Sequence, residues 1–142
     1  MNKLPILFLF FLSILISSCD GGSFNNQNPY LPNYQFTFEV NTNLPLYSGL
    51  KFTGNSIRVF QNGAPTNGVI LFNNGTGILA FDGSCPNQAF SSCSSLVLNS
   101  STAVCPCDDA SYNLFTGQAA GKQYPLKAYR VEVNGNLIRV FN

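Results

Sequence analysis

The 142-residue chain contains no histidine. That absence removes the imidazole general base, the Ser-His-Asp and Cys-His constellations, and every histidine ligand to a metal. Charge is scarce as well: seven basic and six acidic residues make up 9% of the chain, against about 25% in ordinary soluble domains. The basic residues form no cluster, so nucleic-acid binding has no electrostatic footing. With Lys3 set aside the two signs balance, and solubility falls to Asn, Ser, Thr and Gln, which suits a protein held at a surface. Tryptophan is missing, and 13 phenylalanines supply the large apolar volume; they read as core filler. The longest apolar run, Leu4 to Ile16, is shorter than the roughly 20 residues that a membrane-spanning helix needs. Beyond it, no stretch has apolar residues at helical period.

What is present begins at the N-terminus. Lys3, the short apolar run and Ile16-Ser17-Ser18-Cys19 give residues 1–18 the pattern of an export signal. Small residues directly before a cysteine resemble a bacterial lipobox. That resemblance implies acylation of the Cys19 thiol and cleavage before it, so the partner at this end is membrane lipid. An ordinary signal peptide followed by an incidental cysteine is the alternative. Buried acyl methylenes contribute roughly 0.8 kcal/mol each, so a multiply acylated cysteine anchors firmly. Export also places the later cysteines in a compartment where disulfides persist. The expected location is the bacterial cell envelope, lipid-anchored, facing the periplasm or the cell surface.

Residues 19–33 (CDGGSFNNQNPYLPN) are rich in Gly, Asn and Pro and lack periodicity, which predicts a flexible tether. Residues 34–142 read as one all-β domain, a sandwich or small barrel. Strands are expected over Tyr34–Val40 and Ser56–Phe60, with hairpins at Val69–Phe72/Gly77–Phe81 and at Leu126–Val133/Leu137–Phe141. Asn-Gly at the turns favours the positive φ of tight hairpins. Leu96–Leu98 and Ala103–Val104 are shorter strand candidates. Leu44–Tyr47 and Leu50–Phe52 admit a strand pair or an apolar loop. Asp108-Asp109 is the one adjacent carboxylate pair; it reads as a cap on loop N–H groups, with a weak divalent-cation site as the alternative. Gly75-Thr76-Gly77 is turn chemistry, since no helix follows to complete a phosphate cradle.

Four cysteines follow Cys19: Cys85, Cys93, Cys105 and Cys107. Three complete pairings are open to them. Cys85-Pro86-Asn87 follows the strand Gly77–Phe81, and Cys105-Pro106-Cys107-Asp108 comes after the stretch Gln88 to Val104. Next come Ala110-Ser111-Tyr112, Thr116-Gly117 and the final strand pair from Pro125. Order, spacing and flanking strands resemble the Rieske family, whose two loops read C-P-H and C-P-x-H. The family holds one iron by two thiolates and the other by two imidazoles, in a [2Fe–2S] cluster. The resemblance covers roughly Ser56 to Asn142 and implies a Rieske-like antiparallel β-fold with two cysteine-bearing loops.

The departures fall on the metal-handling positions. Asn87 and Asp108 stand where the imidazoles belong. Asp109 replaces the usual glycine, and Ala110 the serine that hydrogen-bonds the cluster sulfur. Cys85, Asn87, Cys105 and Asp108 are therefore the former cluster positions that the resemblance implies. Because ligand cysteines of that fold converge on one iron, it also implies a Cys85–Cys105 disulfide. Cys107 matches the second cysteine of a loop staple, with Cys93 as its partner across a bulge at Ser91-Ser92. The swapped set, Cys85–Cys107 with Cys93–Cys105, competes. No cofactor is expected; the alternative is an atypical [2Fe–2S] centre on Cys85, Cys105 and Asp108 with a further donor. Zinc on Cys85, Cys105, Cys107 and Asp108 is weaker, since exported dithiols oxidise. The leading expectation is a non-catalytic, lipid-anchored binding or structural protein, with an envelope protein as its candidate partner. Its rivals are an electron-transfer protein and a thiol switch using a labile Cys85–Cys105 bond.

Overall fold

A computed structural model describes residues 24–142. The expected export signal and Cys19 lie outside the described residues. The fold is nearly all-β and antiparallel throughout. Its strands are β1 Thr37–Asn41, β2 Ser56–Val59, β3 Val69–Asn73, β4 Ile78–Asp82, β5 Val97–Asn99, β6 Thr102–Val104, β7 Ser111–Asn113, β8 Ala128–Asn134 and β9 Leu137–Phe141. Six of them form a curled sheet in the order β1-β9-β8-β4-β3-β2, and β5-β6-β7 form a separate small sheet. Among the described residues no helix is long and apolar enough to cross a membrane.

Side-chain alternation in β3 explains the architecture. All four residues Val69 to Phe72 are buried, so the strand is covered on both faces. Val69 and Leu71 join Val40, Val59, Tyr129, Ile138 and Val140 in one apolar cluster. Ile70 and Phe72 point the other way, to Cys85, Leu96, Cys105, Tyr112, Leu114 and Leu126. The second cluster binds the cysteine loops and their small sheet to the main one. The curled sheet is thus a platform, and the cysteine region is its cover.

Turn chemistry sets the hairpin registers. In the β8–β9 hairpin Asn134 opposes Leu137, and Gly135 between them has φ +60°, the left-handed region where glycine lacks the Cβ penalty. Between β3 and β4, the Asn74 side-chain oxygen accepts hydrogen bonds from the N–H groups of Thr76 and Gly77 at 3.0 and 2.8 Å.

Several expectations shift. The first strand begins at Thr37, not Tyr34, and the segment from Leu44 to Phe52 holds turns and a short 3-10 helix at Ser48–Lys51. Leu50 packs into the core while Leu46 stays 70% exposed, so the loop alternative holds there. Strand β7 has no sequence signal of its own, because Ser111-Tyr112-Asn113 offers one inward side chain and no apolar run. The tether boundary also moves. Residues 24–33 lie along the domain: Leu31 is buried, and the Asn26 side-chain amide donates to the Ala128 carbonyl at 3.0 Å. The Asn28 amide donates to the Pro86 carbonyl at 2.9 Å. Lys127, 3% exposed, donates to the Pro32 carbonyl and the Asn33 side-chain oxygen at 3.2 Å each. Asparagines that lack a periodic pattern here act as individual hydrogen-bond pegs, which composition alone does not reveal.

Candidate functional site

The first cysteine loop leaves β4 at Asp82 and is pinched shut at its base. A bridge joins Ser84 to Ser95; the Cys85 N–H donates to the Ser94 carbonyl at 2.8 Å, and Leu96 N–H to the Gly83 carbonyl at 2.9 Å. Glycine is obligatory at 83 for space, since a Cβ there would stand 2.1 Å from the Asn67 carbonyl oxygen. The second loop is the turn of the β6–β7 hairpin. Val104 opposes Ser111, and the Cys105 N–H donates to the Ala110 carbonyl at 2.9 Å. Asp108 caps this turn by accepting from the Ala110 N–H at 3.2 Å, as the capping reading of the carboxylate pair anticipates.

Where the loops meet, Cys85 is bonded to Cys105 and Cys93 to Cys107, with Cα separations of 5.6 and 5.1 Å. The swapped set is not the one present. Cys85 and Cys105 are 1% and 0% exposed, whereas Cys93 is exposed and Cys107 half-buried. The sulfurs of Cys85, Cys105 and Cys107 lie within 4.8 Å of one another. Gln88 donates its amide N–H to the Cys105 sulfur at 2.8 Å. The Ser91 hydroxyl stands 3.2 Å from the Cys93 sulfur and 3.6 Å from that of Cys107.

Asn87 and Asp108 have different surroundings. The Asn87 amide N–H2 donates to the Tyr112 hydroxyl at 2.9 Å and to the Tyr124 carbonyl at 2.7 Å. Its side-chain oxygen accepts from the Tyr124 N–H at 2.9 Å. The residue therefore ties the first loop to β7 and to the segment leading into β8. Burial pushes the Tyr112 phenol above its usual range, and the Asn87 hydrogen bond acts in the opposite direction. Asp108 instead pairs with Lys122, carboxylate oxygen to ammonium nitrogen at 2.5 Å. That hydrogen bond holds the Asp108 carboxyl below the usual carboxylate range and raises Lys122 above its own.

The resemblance implies a [2Fe–2S] group here, and the donor set can be tested against it. A Rieske centre requires two free thiolates and two imidazoles. Both thiolates are spent on each other, and Asn87, a neutral amide and a weak donor to iron, is already held by three hydrogen bonds. The Asp108 carboxylate is engaged by Lys122, and the three-sulfur group has Cys107, not Asp108, as its third member. These residues, as arranged, do not fit that cluster.

Sequence reasoning missed the groups that hold the loops in place. The Arg58 guanidinium, on β2, donates to the carbonyls of Asn67 and Gly83 at 2.7 and 3.4 Å, to the Ser95 hydroxyl at 3.1 Å, and to the Leu96 carbonyl. Burial lowers its pKa from the ordinary value, with Asp82 opposing. Asp82, 1% exposed, accepts from the Ser84 N–H at 2.8 Å and the Tyr129 hydroxyl at 2.7 Å. Burial, then the Asp82 charge, drives the Tyr129 phenol far above its usual range. The available signal was one charge inside each of two apolar strands, Ser56–Val59 and Ile78–Asp82, since buried charges are rarely left without partners.

No family model matches the chain, and no curated protein matches it. Among solved structures, it is similar to a chain of the complex of reduced oxygenase and oxidized ferredoxin in carbazole 1,9a-dioxygenase. There the identity is 21%, with 74% of this chain and 92% of that one covered, at a TM-score of 0.49. The Sphingomonas yanoikuyae B1 ferredoxin is 19% identical over 64% of this chain and 88% of its own, at a TM-score of 0.46. A putative NADH-dependent nitrite reductase small subunit from Mycobacterium tuberculosis is 15% identical over 78% of this chain and 97% of its own, at 0.45.

Proposed function

We propose that the chain is a membrane-anchored, extracytoplasmic lipoprotein. Its Rieske-like domain carries a disulfide where the family carries iron and sulfide, and it serves a binding or structural role in the envelope. The observation that carries the reading is the combined state of the former cluster positions. Cys85 is bonded to Cys105, and Asn87 is committed to Tyr112 and Tyr124. Ligand sites are normally supported by groups that orient the ligands; here the supporting hydrogen bonds serve the scaffold itself. The anchoring rests on Ile16-Ser17-Ser18-Cys19 alone.

Two measurements test the two halves of the proposal. Protein freshly isolated from an iron-replete host should be colourless, hold no stoichiometric iron or sulfide, and react with no thiol reagent after Cys19 is acylated. The full-length chain should partition with membranes, and Cys19→Ser should release it. The second reading is an electron-transfer protein with a [2Fe–2S] group on atypical ligands. It draws on the sulfur group of Cys85, Cys105 and Cys107, and brown protein with stoichiometric iron and sulfide would establish it.

A further inference from the structure

The two disulfides differ in access and lie almost in contact. The Cys93 end of the outer bond meets solvent. The inner bond is closed off, with Cys85 and Cys105 in the apolar cluster under the loops. Yet the Cys107 sulfur of the outer bond is within 4.8 Å of both inner sulfurs. A thiolate attacks a disulfide at the sulfur it can reach, and the better-stabilised thiolate leaves. Access is met at Cys93, which is exposed, and stabilisation of the leaving sulfur at Cys105, which Gln88 faces.

We propose that the pair is a thiol–disulfide relay that takes reducing equivalents from an external dithiol at Cys93 and delivers them to the buried Cys105. The inference goes beyond the binding or structural role and rests on one part of that reading, the inner pair being a disulfide. In the first step a thiolate of the dithiol attacks the Cys93 sulfur, forming a mixed disulfide, and Cys107 leaves as a thiolate beside the Ser91 hydroxyl. The donor's second thiol then closes the donor's own disulfide and frees Cys93. The donor is oxidised by two electrons and the outer pair is reduced.

In the second step the Cys107 thiolate attacks the Cys85 sulfur. The Cys85–Cys107 bond forms as the Cys85–Cys105 bond breaks, with no net change in electrons. Cys105 is the leaving thiolate because the Gln88 N–H already points at its sulfur, and hydrogen bonding to the charged form favours it. From a sulfur separation within 4.8 Å, reaching the bonding distance of about 2.05 Å requires side-chain motion of under ~3 Å. Rotation about the cysteine side chains in two turns can supply this.

The test uses the full-length protein and one equivalent of dithiothreitol, with samples quenched over time, alkylated and mapped by mass spectrometry. The expected course is early label on Cys93 and Cys107, giving way to label on Cys93 and Cys105 with a Cys85–Cys107 bond. Cys107→Ser should protect the inner bond, slowing its loss by more than about tenfold, because the intramolecular attack has gone. Gln88→Leu should lower the Cys105-labelled fraction without changing the circular dichroism spectrum.

Label that stays on Cys93 and Cys107, with Cys85–Cys105 intact throughout, overturns the relay. So does an inner bond lost equally fast in Cys107→Ser, which would mean direct attack. Label on Cys93 and Cys85 overturns the assignment of Cys105 as the leaving thiol. Iron and sulfide in the untreated sample would mean that the disulfide reading fails before any reductant is added.

Discussion

Asn87→Ala should cost this domain about 3 kcal/mol of stability, although Asn87 lies outside the apolar clusters. The variant loses two donated hydrogen bonds and one accepted, at 2.9, 2.7 and 2.9 Å. Each nets about 1 kcal/mol in a folded protein. The Tyr124 peptide is half-buried and recovers part of its loss from water. The Tyr112 hydroxyl cannot, because its residue is fully buried, and an unsatisfied buried polar group costs about 1–3 kcal/mol. The gain and the loss nearly offset, so the sum stays near 3 kcal/mol, or about 12 °C in Tm for a domain of this size.

Asp108→Ala removes an exposed ion pair, worth little, and the cap on the Ala110 N–H, so it should cost no more than about 1 kcal/mol. Urea unfolding with both disulfides oxidised measures the pair of variants. With six tyrosines and no tryptophan, tyrosine fluorescence reports the transition. Equal costs at the two positions, or a loss below about 1 kcal/mol for Asn87→Ala, would refute the reasoning.

Four further outcomes are expected. Tyr129→Phe removes the hydroxyl that donates to the buried Asp82 at 2.7 Å and should cost about 2 kcal/mol, the scale of a hydrogen bond to a charged group; unchanged stability would show that Ser84 alone suffices. Because the Tyr129 phenol is raised in the folded state, the unfolded chain releases this proton first. Stability should therefore fall as pH rises above about 10, and ultraviolet titration should leave Tyr129 un-ionised until the protein unfolds.

Lys122→Met should return the Asp108 carboxyl toward the usual carboxylate range in an NMR titration. In the parent its pKa is depressed, so its stabilising effect is present above the unfolded value of about 3.9 and lost as pH falls through the folded one; an unmoved midpoint would discount the pair. Protein lacking residues 24–33 should be destabilised by at least about 2 kcal/mol, the scale of removing one buried leucine. It also loses both acceptors of the buried Lys127, and equal denaturation midpoints with and without the segment would show that these contacts are idle.

The sequence announced elements better than it announced their ties. Strands β3, β4, β8 and β9 were legible because each has an apolar run or alternation beside an Asn-Gly turn, and both signals are local. Strand β7 was not, since Tyr112 is its only inward side chain and its pairing with Ala103 lies across a turn. The cysteine loops stood out through spacing, but what surrounds Asn87 did not. Its partners Tyr112 and Tyr124 lie 25 and 37 positions away, and no one-dimensional pattern connects an amide to a phenol and a peptide. Arg58 and Asp82 were legible only as oddities, lone charges in apolar strands whose partners depend on how β2 and β4 are covered. Residues 24–33 show the converse. Their composition is typical of linkers and predicts slack chain, yet Asn26, Asn28 and Leu31 each find a seat that only the finished surface provides.

The two cysteine loops are turns rich in polar backbone, and their shape depends on what ties them together. Three kinds of tie act on them, a pair of disulfides, Arg58 and Asn87, and none requires an ion. The inner disulfide closes a sequence separation of 20 residues, worth roughly 3 kcal/mol in the loop-entropy account. The second, spanning 14, interlocks with it, so the two constrain overlapping loops and their effects do not simply add. Arg58 fastens the base of the first loop to β2, and Asn87 fastens its tip to Tyr112 under the second. A scaffold supported in this way should hold its loops when every divalent ion is chelated. Its response should instead be to reductant, with unfolding by urea moved to lower concentration by a dithiol and left unmoved by EDTA. A midpoint that falls with EDTA alone would show that some ion, and not the sulfur bonds, carries the loops.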